Sequence, residues 1–210
     1  MKRISLRIGA LLVAVAIGVL SGTPQAARAE VVPTPELGVT WVFECDIAGK
    51  QQVRLTAFTK AIEDGALVIA FEEDGKTRIK HYPVSTWPLV FFTKEKSPNR
   101  TRHRKVDSGS LSFAQLAVGE KVKAWVRQFD SKWGRNRWKW SAEIKDQITV
   151  ETESFGPLQV FVIEQKASSL EWGYAMTIVT HYSPKMNVIT YWKEHDSNDR
   201  RSECRLVSLK

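Results

Sequence analysis

Over most of the chain beyond position 40, apolar and polar side chains alternate. The clearest case lies between Gly119 and Trp192. In 137–145, Trp138, Trp140, Ala142 and Ile144 fall on one face and Arg137, Lys139, Ser141, Glu143 and Lys145 on the other. This period of two marks a strand with one buried and one wet face. In 122–129, Val122, Ala124 and Val126 alternate with Lys123 and Arg127. The link 130–136 is rich in turn formers, so the two segments read as a hairpin.

The remaining segments extend the same pattern. Trp41, Phe43 and Cys45 share a face in 40–45, and Val53, Leu55 and Ala57 share one in 51–58. Leu67, Ile69 and Phe71 follow, and Asp74-Gly75 is a strong hairpin signal before 76–82. The stretch 83–92 holds two prolines and reads as an edge strand or a packed loop. The stretch 93–109 is polar and basic and reads as a long exposed loop. Later come 147–152, the apolar 158–165, 171–182 with Trp172, Tyr174, Met176 and Ile178 on one face, 188–194 and 202–209. No segment keeps a helical period beyond two turns. About a dozen strands with turns between them predict an all-β fold: an antiparallel meander rolled into a barrel, half-barrel or sandwich.

The first 29 residues are different. Lys2, Arg3 and Arg7 precede an apolar run over 8–20, and Ala27-Arg28-Ala29 is a small-x-small cleavage signal. This reads as a secretory signal peptide cleaved after Ala29. The apolar run is shorter than the ~20 residues of a membrane span, so no transmembrane anchor is expected after cleavage. The expectation is a single β domain over 30–210 in a bacterial periplasm or secreted outside. The leader also carries much of the charge. Without Lys2, Arg3, Arg7 and Arg28, the 31 Lys+Arg become 27 against 23 Asp+Glu, and the net charge falls from +8 to +4. That weakens any case for nucleic acid, which an exported protein rarely meets.

Cys45 and Cys204 are the two cysteines. In an oxidising compartment they can bridge the first strand to the last; the alternative is two buried free thiols. No C-x-x-C pair is present, which argues against a redox enzyme.

From Leu116 onward the chain resembles a group of uncharacterised bacterial exported β domains. The residues that carry the likeness are Val118-Gly119, Gly156 with Leu158 and Val160, Tyr182-Ser183-Pro184 before Val188, and Cys204-Arg205-Leu206. His181 and the Gly156-Pro157 turn depart from the pattern. The resemblance implies an antiparallel sheet rolled around an apolar interior, and it implies no activity.

Two clusters are candidate binding sites. Arg100, Arg102, Arg104 and Lys105, with Lys94, Lys96 and His103, are opposed only by Glu95. Such a cluster suits phosphates, acidic glycans or anionic lipid heads; the plain alternative is a solvated loop. Trp133 and Arg135 lie at the tip of the central hairpin, next to Arg137, Trp138, Lys139 and Trp140. Basic and aromatic residues interleaved in this way resemble a groove for single-stranded nucleic acid, but alternation alone explains the spacing. The oxygen-rich 194–199 lacks the ligand order of a calcium loop, so no metal site is expected. His81 and His181 are candidate general bases that lack a partner in sequence. No catalytic or cofactor motif is present, so no cofactor is expected and the reading leans away from an enzyme.

The leading expectation is therefore a binding or envelope-support module for a hydrophobic or anionic envelope ligand. Anionic lipid, an acidic glycan or an envelope protein is the expected partner. The alternatives are a hydrolase of an envelope polymer with a His/carboxylate pair, and a purely structural interaction domain. An open apolar cavity would favour ligand carriage, and a packed core would favour surface interaction.

Overall fold

The computed structural model describes residues 36–48, 52–87 and 89–210. The predicted signal peptide and its cleavage point lie outside these residues. Twelve antiparallel strands form a meander that closes on itself. The first four are β1 (Thr40–Ile47), β2 (Val53–Glu63), β3 (Ala66–Glu73) and β4 (Lys76–Pro83). Next are β5 (Lys94–Ser97), β6 (Arg100–Ser110), β7 (Lys121–Asp130) and β8 (Gly134–Thr152). The circuit ends with β9 (Gly156–Ser169), β10 (Ala175–Ser183), β11 (Val188–Asp196) and β12 (Arg201–Leu209). The expected all-β antiparallel roll is thus a full barrel.

Closure comes from β1, which pairs with β2 on one side and β12 on the other. Cys45 lies directly opposite Cys204 in that second ladder, and the two form a disulfide. Both side chains point inward and are buried. Tight turns link the wall strands. Asp64-Gly65 and Asp74-Gly75 each place two consecutive residues at positive φ, the conformation whose twist matches a two-residue hairpin.

One correction concerns 94–109, read above as an exposed loop. It forms β5 and most of β6, a hairpin in the barrel wall. Gly109 shows how tightly this wall is built. Its φ is +82°, and a Cβ there would lie 2.3 Å from the Lys123 carbonyl oxygen on β7. A second correction concerns Trp172, which falls in the β9–β10 loop and is exposed, not on the buried face of β10.

Because the strands alternate in direction, the β1–β2, β3–β4, β5–β6, β7–β8, β9–β10 and β11–β12 turns share one rim. The two long connections, 84–93 and 111–120, start from the opposite rim and fold inward. The first supplies buried Trp87, Leu89, Phe91 and Phe92, and the second Leu111, Phe113 and Leu116, to the core that holds Trp41, Trp140 and Ile163. Trp87 stacks on Trp41 at 5.6 Å, and Phe91 meets the edge of Trp140 at 5.3 Å. These side chains fill the apolar half of the lumen. A lipid-sized apolar cavity, one form of the expected ligand site, is therefore not what this interior builds.

The outside of β7, β8 and β9 is largely charged. Lys121, Lys123, Arg137, Lys139, Lys145 and Lys166 all face outward. On these three strands the pattern is the reverse of the apolar outer band of a membrane-spanning barrel. No helix among the described residues is long and apolar enough to cross a membrane.

Two outcomes follow from this architecture. Cutting the seam with Cys204→Ser should remove about 4–5 kcal/mol and lower the melting midpoint by about 10–20 °C; an unchanged midpoint in a thermal melt would contradict the seam's role. Gly109→Ala should cost about 2 kcal/mol or more, because it combines positive-φ strain with a backbone clash. Denaturant titration would show this as a lower midpoint.

Candidate functional site

The basic segment 94–105 is split by the alternation of the wall. Arg100, Arg102 and Arg104 point into the lumen, while His103 and Lys105 point out. The two groups have different surroundings.

Inside, each arginine has a partner. Arg100 forms a fork on the buried Asp130 carboxylate through Nε and Nη2. Arg102 is ion-paired with Glu95. Arg104 donates from Nε to Gln128 Oε1 at 2.8 Å. Asp130 also accepts the amides of Lys132 and Trp133, so it ties the β7–β8 turn to the barrel. Burial pushes the Asp130 carboxyl upward, but the Arg100 bonds and those two amides outweigh it and hold the carboxyl below its usual range. Glu95 behaves alike: burial raises it, and Lys80 and Arg102 bring it below the usual carboxylate value.

Outside, β6, β7 and β8 present three cross-strand rows. They are His103–Phe129–Arg135, Lys105–Arg127–Arg137 and Ser108–Trp125–Lys139. Trp125 is 45% exposed and Phe129 47%. Arg127 is held by Asp107, and Arg137 by Glu171. Among the described residues, Lys105, Arg135 and Lys139 have no carboxylate within ion-pair distance. Three cations in one row, directly opposite one another, lose stability by repulsion. A shallow groove of about 400 Å³ runs along this wall, bounded in part by His103, Lys105, Arg127, Phe129 and Arg135. Trp133 sits beyond it at the β7–β8 turn, 58% exposed, with the Lys132 ammonium 5.1 Å from its ring.

The site residues expected from sequence are therefore not one surface. Lys105 and Arg135 lie together on the outer wall and Trp133 at its end, whereas Arg100, Arg102 and Arg104 face the opposite way. Trp138 and Trp140 are buried, as alternation predicts. The sequence reading missed Trp125 and Phe129. Their signal was available: both share the outward parity of Lys123 and Arg127, so they are aromatic where a wet face calls for polar residues.

The other candidates resolve into structural roles. His81 and His181 both point outward. Neither has a carboxylate within hydrogen-bond reach among the described residues, and His181 packs on Tyr191 at 4.6 Å. Burial lowers the basicity of both rings. The His/carboxylate pair required by the hydrolase alternative is thus not formed by either residue. In 194–199, Asp196 accepts the amides of Asn198 and Arg200 and the Tyr174 hydroxyl, which anchors the β11–β12 turn. No cluster of metal-ligating side chains occurs among the described residues.

No family model matches the chain, and no curated protein matches it in sequence. Two solved structures are similar to it. One is the hypothetical lipoprotein YmcC from Escherichia coli K12, with a TM-score of 0.53 and 7% identity over 81% of this chain and 83% of that one. Another is a putative exported protein with a YmcC-like fold from Bacteroides fragilis, with a TM-score of 0.46 and 13% identity over 87% of this chain and 99% of that one. At such identities the likeness concerns the fold.

The depressed carboxylates imply an acid limb of known sign. Stability from Asp130 is full above the unfolded carboxylate value, about 4, and is lost as pH falls through the lower folded value. Asp130→Asn should therefore be less stable than the parent at neutral pH, with the gap narrowing below about pH 4. Melting midpoints recorded across acid pH would show this. A gap that stays constant would mean that Asp130 acts without its charge.

Proposed function

We propose that the protein is an exported binding module whose outer β6–β8 wall holds an acidic polysaccharide of the cell envelope. The observation that carries this reading is the cross-strand set Trp125, Phe129, Lys105, Arg135 and Lys139. It joins two exposed aromatic faces to three cations that have no carboxylate within ion-pair distance among the described residues. Aromatic faces stack on the apolar faces of sugar rings. Arginine forks and lysine ammoniums pair with uronate carboxylates. Trp125 and Phe129 lie four residues apart on β7, about 13 Å along the strand, so the stripe suits an extended chain better than a compact ion. An anionic membrane is a poorer fit, because the stripe runs along the side of the wall and the surrounding outer surface of β7–β9 is charged.

An envelope or secreted location agrees with the predicted leader, with the disulfide and with the lipoprotein nature ascribed to the fold neighbour YmcC.

Titration calorimetry with polyuronate oligosaccharides should show binding that weakens with added salt, and neutral dextran should show none. Trp125→Ala should weaken it by about fivefold, and Arg135→Gln by a similar factor. Equal affinity for dextran, or binding untouched by both substitutions, would refute the assignment. Binding to anionic vesicles in place of polyuronate would transfer the site to lipid.

A further inference from the structure

The lumen holds a cluster that the outer-wall reading leaves unused. Lys80 on β4 and Arg102 and Arg104 on β6 converge on one ring, Phe92. The Lys80 ammonium lies 5.0 Å from its centroid, the Arg102 guanidinium 4.9 Å and the Arg104 guanidinium 4.0 Å. Glu95 sits in register between Lys80 and Arg102 and is ion-paired with Arg102, and Glu194 on β11 acts on Arg104 electrostatically. Among the described residues, Lys80 and Arg104 have no carboxylate within ion-pair distance, in a largely buried site. Arg104 is 8% exposed and Glu95 3%.

Uncompensated buried charge is costly. Its signature is visible in the groups themselves. Burial, aided by the neighbouring arginines, brings the Lys80 ammonium down to about 8, although Glu95 opposes the shift. Burial and then Arg102 bring Arg104 down to about 9. Both remain charged near neutrality. A second observation points to a ligand. Arg102 Nε and Trp140 Nε1 are buried with no hydrogen-bond partner among the described residues. Trp140 is 1% exposed, and its ring packs 5.0 Å from the Arg104 guanidinium. Buried polar atoms are normally satisfied. Arg100 and Arg102 keep part of their surface open to solvent, so the cluster is reachable from the short-turn rim.

We propose that Lys80, Arg102 and Arg104 form a binding site in the barrel lumen for a dianionic tetrahedral oxyanion of the phosphate class. Two cations without an ion-pair partner, Lys80 and Arg104, suit a phosphate dianion. The guanidinium forks match its oxygens. Phe92 lies beneath the three cations, and the closed wall lowers the local dielectric, which strengthens each contact. The site is separate from the outer stripe and does not depend on what that stripe binds.

The test is thermal melting in a chloride buffer, with and without inorganic phosphate, against sodium chloride of equal ionic strength. At a concentration about a hundredfold above Kd, phosphate should raise the midpoint by about 5–10 °C beyond the salt control. Lys80→Met should lose that increment, with binding weakened at least about tenfold, while melting at or above the parent midpoint without phosphate, because a repulsion is relieved. Lys80→Arg should keep most of the increment, and Arg135→Gln on the outer wall should keep all of it. Glycerol phosphate as a parallel ligand distinguishes a free ion from the phosphate of a larger molecule: a larger shift with the ester assigns the site to a phosphomonoester. No shift with either ligand, an equal increment in Lys80→Met, or a Lys80→Met protein that melts well below the parent without phosphate would overturn the proposal.

Discussion

Closure of the sheet is the constraint from which the other features follow. A meander leaves its first and last strands with unpaired edges, and such edges invite pairing with other chains. Here β1 and β12 pair with each other, so the described wall has no free edge. The Cys45–Cys204 disulfide fastens that last seam across 159 positions of sequence. The bond does little to the local geometry of two strands already in register. It limits the freedom of the unfolded chain, which otherwise pays a large entropic cost to bring its ends together.

Once the wall is closed, every strand position is either inside or outside. Inside, two materials share the lumen. At the rim of the long connections, Trp87, Leu89, Phe91 and Phe92 join Leu111, Phe113 and Leu116 to fill the space with apolar side chains. Toward the rim of the short turns, the lumen turns polar, with Arg100–Asp130, Arg102–Glu95 and Arg104–Gln128. Outside, the same strands carry a charged surface interrupted by Trp125 and Phe129. The β6 sequence therefore serves two surfaces at once, one arginine set facing the lumen and the intervening His103 and Lys105 facing the solvent.

That double use explains what could be read from the sequence. Where one face is apolar and the other charged, as in 137–145, alternation gave the strand and its orientation directly, and Trp138 and Trp140 are buried. Where both faces carry charge, as in 100–105, the period of two disappears into an unbroken basic run, and the segment looks like a loop. The partners that make its inner face tolerable, Glu95, Gln128 and Asp130, lie on neighbouring strands that sequence spacing does not relate to it. Pairing of Cys45 with Cys204 could be anticipated because both sit on inward faces of the terminal strands. The inward folding of 84–93 and 111–120 could not, because a long apolar connection reads equally as an edge strand or a packed loop. Trp125 and Phe129 were hidden by attention to the apolar face of β7, although their parity placed them outside.

Hydrogen exchange on the oxidised protein examines closure itself. If β1 and β12 are interior strands of a continuous wall, the amides of 41–45 and 203–206 should exchange as slowly as those of β8 and β9. Rapid exchange along either strand, at rates typical of a sheet edge, would show an open sheet and contradict the structure described here.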